Sequence, residues 1–130
     1  MIDRARTGER GAAVVDFVLV LLILLPLVLG ILQLALVLHV RNTLASAAAE
    51  GARHAAVAGS SGPAGQAKVE ELVDGALSQE FVRSVSVRPA AVGGVAGFEA
   101  VVEADVTVLG IAGPGVRIRV EGHAIAEVQP

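Results

Sequence analysis

The sequence predicts an α+β protein: a long N-terminal transmembrane helix that continues beyond the bilayer, a second amphipathic helix, and a small antiparallel sheet. Three observations predict it. Residues 17–38 (FVLVLLILLPLVLGILQLALVL) form one apolar run without a charge. Residues 66–82 repeat apolar side chains at helical spacing. From Ser84 onward the period falls to two, in stretches parted by Gly and Pro.

The apolar run comes first. At about 1.5 Å per residue a helix over it spans roughly 33 Å, enough for a bilayer core with some tilt. A secretory signal has an apolar region of only about 7–15 residues followed by a small-residue cleavage site. This run is longer and passes straight into His39-Val40-Arg41. Residues 1–11 (MIDRARTGERG) precede it as a polar leader without periodicity, expected to lack fixed structure. They carry Arg4, Arg6 and Arg10 against Asp3 and Glu9, whereas Arg41 and Arg53 are the first basic residues beyond the run. The positive-inside rule then places the N-terminus in the cytoplasm, the helix in the cytoplasmic membrane, and the C-terminal part outside. The expected organisation is a leader (1–11), a transmembrane helix (12–40) and an extracytoplasmic α+β domain (41–130).

Pro26 and Gly30 lie within the membrane helix, where a bilayer tolerates them and Pro26 favours a kink. Gln33 is a lone polar residue at depth, read either as an interhelix hydrogen-bonding group or as a tolerated polar side chain. Residues 41–58 are Ala-rich and continue the helix. Leu44, Ala48, Gly51 and Ala55 form a small-residue stripe that suits packing on the chain's own domain or on another helix. Asn42, Ser46, Glu50 and Arg53 form a polar face, and Glu50 stands four residues from His54.

Gly59–Gly65 breaks the helix. The second helix, expected over 66–82, presents Val69, Leu72, Val73, Ala76, Leu77 and Phe81 on one face. A strand over 84–88 follows, ended by Pro89, and then a flexible connection (AAVGGVAG). Residues 98–109 and 116–128 alternate as two longer strands joined by a turn at 110–115. Glu99, Glu103 and Asp105 on one strand can face Arg117, Arg119 and His123 on the other. The sheet's apolar face must be covered by the second helix and the Ala-rich end of the first.

Composition narrows function. The net charge is -3, aromatics are 2% of the chain, and there is no Trp, Tyr or Cys. No basic patch or stacking surface suits nucleic acid. No thiolate chemistry or disulfide is possible. His39, His54 and His123 have no partners at metal-ligand spacing, no Ser stands in a nucleophile elbow, and the glycines match no phosphate loop. The expectation is a protein without catalytic residues, cofactor, metal or small-molecule substrate.

The informative stretch is Arg10-Gly11-Ala12-Ala13-Val14-Val15-Asp16-Phe17. A carboxylate at the membrane edge costs free energy unless it reaches headgroups, water or a partner charge. A glycine followed five residues later by an acid inside an apolar helix resembles the type IV pilin class. The fuller pattern is similar to TadE-like proteins, the minor pilins or pseudopilins of tight-adherence (Tad/Flp) systems. It comprises Gly11, Asp16-Phe17, a Leu-rich helix with Pro26, and Glu50-Gly51-Ala52-Arg53. The resemblance covers about residues 10–58. The acid is Asp where the family has Glu, one methylene shorter, and the cysteines common in the family's outer domain are missing.

The resemblance implies a pilin-like fold and cleavage after Gly11 by a prepilin peptidase, leaving Ala12 as the mature N-terminus. It makes Asp16 the assembly acid, followed by Phe17, and Pro26, Gly30, Gln33 and Gly51 helix-packing positions. Implied partners are the lipid bilayer, the peptidase, other pilin or pseudopilin subunits and inner-membrane assembly proteins. The alternative is an uncleaved single-pass scaffold or binding protein of the cell envelope.

Overall fold

A computed structural model describes residues 3–57, 59–108 and 113–128, with the backbone alone for residues 3–7. The chain divides into two units, Met1–Ala35 and Leu36–Pro130.

Helix α1 runs Asp3–Ala56 and passes through Pro26. The backbone is helical from Asp3, which corrects the expectation of an unstructured leader. Arg4, Ala5, Arg6, Glu9 and Arg10 are good helix formers. The strong helix downstream serves as nucleus, so extending it backwards costs far less than starting a new one. Pro26 withholds one hydrogen bond from the preceding turn without ending the helix. In the first unit the apolar side chains stand open: Phe17 is 66% exposed, Leu22 68% and Ile23 74%. The most apolar window of this helix, with mean hydropathy 3.0, has none of its residues buried. A core helix of a soluble protein would be covered; this one is exposed, and it is long and apolar enough to cross a membrane.

The second unit contains the rest of α1, helix α2 (Gly62–Ala76), and strands β1 (Val82–Val92), β2 (Val95–Thr107) and β3 (Gly115–Ile125). Helix α2 starts earlier than its apolar periodicity suggests. Ser61 caps it by accepting a hydrogen bond from the Ala64 amide at 3.4 Å, and Pro63 suits the first turn. It also ends earlier: Leu77 is extended, and Gln79–Phe81 form a separate 3-10 turn. Phe81 falls at helical spacing by sequence but reaches the core from that turn, while Ala76 is exposed.

The strands form an antiparallel meander in the order β1-β2-β3. Strand β1 does not stop at Pro89, which pairs with Phe98. An edge strand has one open side, and there the missing amide is no loss. The glycines expected in a flexible connection make a tight turn. Val92 pairs with Val95, and Gly93 and Gly94 take φ of 59° and 82°. Positive φ at both central residues gives the turn twist that matches a right-handed hairpin. Of the turn expected at 110–115, residues 110–112 lie outside the described residues, as do Ala58 and Leu109.

The alternation within β2 and β3 sorts the side chains as expected. Ala100, Val102, Ala104 and Val106 are fully buried, and Ile118 and Val120 nearly so. They pack in one core with Val40, Leu44, Ala47, Ala48, Ala52 and Ala55 of α1 and with Val69 and Val73 of α2. Small residues allow this close layering. A Cβ on Gly122 of β3 would stand 2.5 Å from the Ala48 carbonyl carbon. Past Ile125 the chain stays tied to α1, with the Glu127 amide donating to the Ala56 carbonyl at 2.8 Å.

Candidate functional site

The sequence points to the start of α1 as the site. Gly11, Ala12, Asp16 and Phe17 lie on α1, exposed. A Cβ on Gly11 would meet nothing within 4 Å, so no packing demands this glycine within the chain. Ala12 and Asp16 are four residues apart and share one helix face. The Asp16 carboxylate has no ion-pair partner among the described residues. Chemically, it is an accessible anion one turn from the position where cleavage after Gly11 would create an amine.

The packing candidates fall in different settings. Pro26 and Gly30 lie on exposed stretches of α1, and a Cβ on Gly30 would meet nothing within 4 Å. Gln33 is half-buried and engaged within the chain. Gly51 is buried in the second unit, where α1 crosses α2. A Cβ there would stand 2.1 Å from Val69 Cγ2 and 3.0 Å from the Gly65 carbonyl oxygen. In the Glu50-Gly51-Ala52-Arg53 tetrad, Gly51 and Ala52 thus face the core. Glu50 and Arg53 face outward and meet at 3.8 Å, so Glu50 pairs with Arg53 and not with His54, four residues on.

The outer sheet face carries the densest array of charge. The acids of β2 alternate with cations from both neighbouring strands. Glu99 accepts from Arg88 of β1 at 2.9 Å and meets His123 of β3 at 3.3 Å. Glu103 meets Arg119 at 3.0 Å, and Arg119 also meets Glu121 at 3.1 Å. Asp105 meets Arg117 at 3.5 Å and pairs with Arg83. The β2–β3 pairs follow the alternation in the sequence. The Arg83 contact was not legible there, because it depends on a register shift between Val82 and Ser84 that places Arg83 out of the regular ladder. The Arg88–Glu99 hydrogen bond, helped by His123 and opposed by partial desolvation, holds the Glu99 carboxyl below its ordinary value. Hydrogen bonds to Glu121 and Glu103 hold the Arg119 guanidinium above its own. Val101, central on this face, is only 7% exposed.

Ligand atoms of Glu99, Glu121 and His123 lie within 4.8 Å of one another. Arg88 and Arg119 already pair with the two carboxylates. The hollows of the second unit are shallow. One of about 350 Å3 is lined by Glu70, Asp74, Arg83 and Ser84 among others. Another, of about 410 Å3, lies between α1 and α2 at Asn42, Ser46 and Leu72.

Comparison with curated proteins and with solved structures returned no match. The TadE-like protein family model matches residues 11–53, beginning at Gly11 and ending on Arg53. These residues include the exposed acid, the apolar run and the α1 side of the α1–α2 crossing. Over residues 11–53 the chain is therefore similar to the TadE-like protein family.

Proposed function

We propose that this chain is a membrane-anchored minor pilin or pseudopilin that helps assemble or anchor a Tad/Flp-type pilus or a related secretion machine. The TadE-like match over residues 11–53 carries the reading. The long exposed apolar helix near the N-terminus fits the membrane anchor such a subunit needs. In this reading the chain is inserted in the cytoplasmic membrane with its N-terminus inside. A prepilin peptidase cuts between Gly11 and Ala12, removing Arg4, Arg6 and Arg10 together with Asp3 and Glu9.

The cut creates an ammonium at Ala12, at the positive end of a helix. Within the low-dielectric membrane edge, the Asp16 carboxylate then has strong reason to pair with such an amine, its own or a neighbour's. Phe17, Pro26, Gly30 and Gln33 lie along the helix that packs against other subunits. The outer unit acts by contact with partner proteins rather than by catalysis, and uses no cofactor or nucleic acid.

The test is genetic. In a host that bears a tight-adherence pilus, D16N should reduce pili on the cell surface while the protein's level in the membrane stays normal, and D16E should keep them. Normal piliation after deletion of the whole gene would contradict the assembly role and favour the scaffold alternative.

A further inference from the structure

The apolar run does not stop where the second unit begins. Its last residues, Leu36–Leu38, belong to that unit, and Leu36 and Val37 pack against its core. Leu38 is 48% exposed. Three residues on, Arg41 is exposed and has no ion pair among the described residues. At 1.5 Å per residue it stands about 4.5 Å beyond Leu38, inside a headgroup layer of roughly 5–7 Å.

The sheet brings further residues to this level. Val37 and Arg41 line a hollow of about 280 Å3 with Val116, Arg117, Ile118 and Arg119, so β3 begins beside the end of the apolar run. Strand β2 ends there too, since Thr107 pairs with Gly115 and Val106 with Val116. Val108 and Val116 are 48% and 49% exposed, and the Arg117 side chain is 74% exposed. Exposed valines flanked by Arg41 and Arg117 combine an apolar contact with positive charge at headgroup depth. That is the chemistry that binds an anionic lipid surface.

We propose that this end of the second unit, formed by Val108, Val116, Arg41 and Arg117, docks on the anionic phospholipid surface from which the helix emerges. The second unit is then seated on the bilayer rather than carried free of it. The occupant is lipid because the patch adjoins the end of the apolar run at Val37 and Arg41, and its uncompensated charge at Arg41 is positive. The proposal rests on the membrane-anchor reading.

The chain has no native cysteine, so single nitroxide labels report depth cleanly. Full-length V108C, V116C, A91C and L27C proteins are labelled and reconstituted in phosphatidylcholine vesicles with and without phosphatidylglycerol. Collision with a water-soluble nickel chelate is then measured. The L27C label is expected at bilayer depth and the A91C label in water. The V108C and V116C labels should be shielded, more so with phosphatidylglycerol, and R41Q should reduce the docked-to-undocked ratio about fivefold. V108C and V116C labels as accessible as A91C, with L27C at depth, would overturn docking and leave the anchor intact. An L27C label in water would overturn the anchor reading and docking with it. Shielding that follows protein density and ignores phosphatidylglycerol would assign the patch to a second copy and overturn the lipid assignment.

Discussion

Gly51 in α1 and Gly65 in α2 meet backbone to backbone: a Cβ on Gly65 would stand 2.6 Å from the Gly51 carbonyl oxygen. The crossing leaves no room for a side chain on either helix. It fixes how α2 lies on the sheet, because Gly65 also approaches Val87 of β1.

G51V therefore forces the helices apart. Overpacking of this kind costs about 1–3 kcal/mol. Thermal unfolding of the full chain in detergent, followed by sheet circular dichroism, should show a lowered midpoint. G30A, at a position open on all sides, should leave that midpoint unchanged.

Leu44 is fully buried among the largest core side chains, whereas Leu22 is 68% exposed. L44A should destabilise the second unit by about 2–5 kcal/mol. L22A should leave that unit's stability as it is. An equal effect of both would contradict the placement of the core.

Gly93 and Gly94 hold positive φ in the β1–β2 turn. Left-handed backbone costs other residues roughly 1–2 kcal/mol each. Replacing both with Ala should lower the unfolding midpoint, and Asn-Gly at the same positions should restore it.

Glu99 has its carboxyl held down by Arg88 first and His123 second. A group depressed in the folded state stabilises the fold above its ordinary value of 4.5, and that contribution disappears as pH falls through the lower folded value. Unfolding midpoints measured below and above this value should fall on acidification, and E99Q should flatten that fall. An unchanged acid dependence in E99Q would show that the pair contributes nothing.

Much of this was legible in the residues. The apolar run is unambiguous because no soluble chain of this size could cover it. The period of two in β2 and β3 gave the buried face and the acid-to-base pairing across strands, since side chains alternate strictly along a strand. The ends of elements were less legible. Ser61 and Pro63 start α2 before its apolar stripe begins, and Phe81 continues the helical spacing after the helix has ended. Pro89 reads as a stop unless its strand is known to be an edge. Contacts such as Gly51 with Gly65, or Arg83 with Asp105, depend on tertiary approach and leave only a bare glycine or a bare arginine in the sequence. In the candidate site, Gly11 and Asp16 were legible as a motif, because no internal packing accounts for either.

The most direct measurement is the N-terminus of the protein recovered from membranes of its native host, by intact mass and N-terminal peptide sequencing. The account predicts a chain that begins at Ala12, with the Asp16 carboxylate one helical turn from a new amine. A chain that begins at Met1 or Ile2 would contradict processing and leave a single-pass envelope protein with its leader in place.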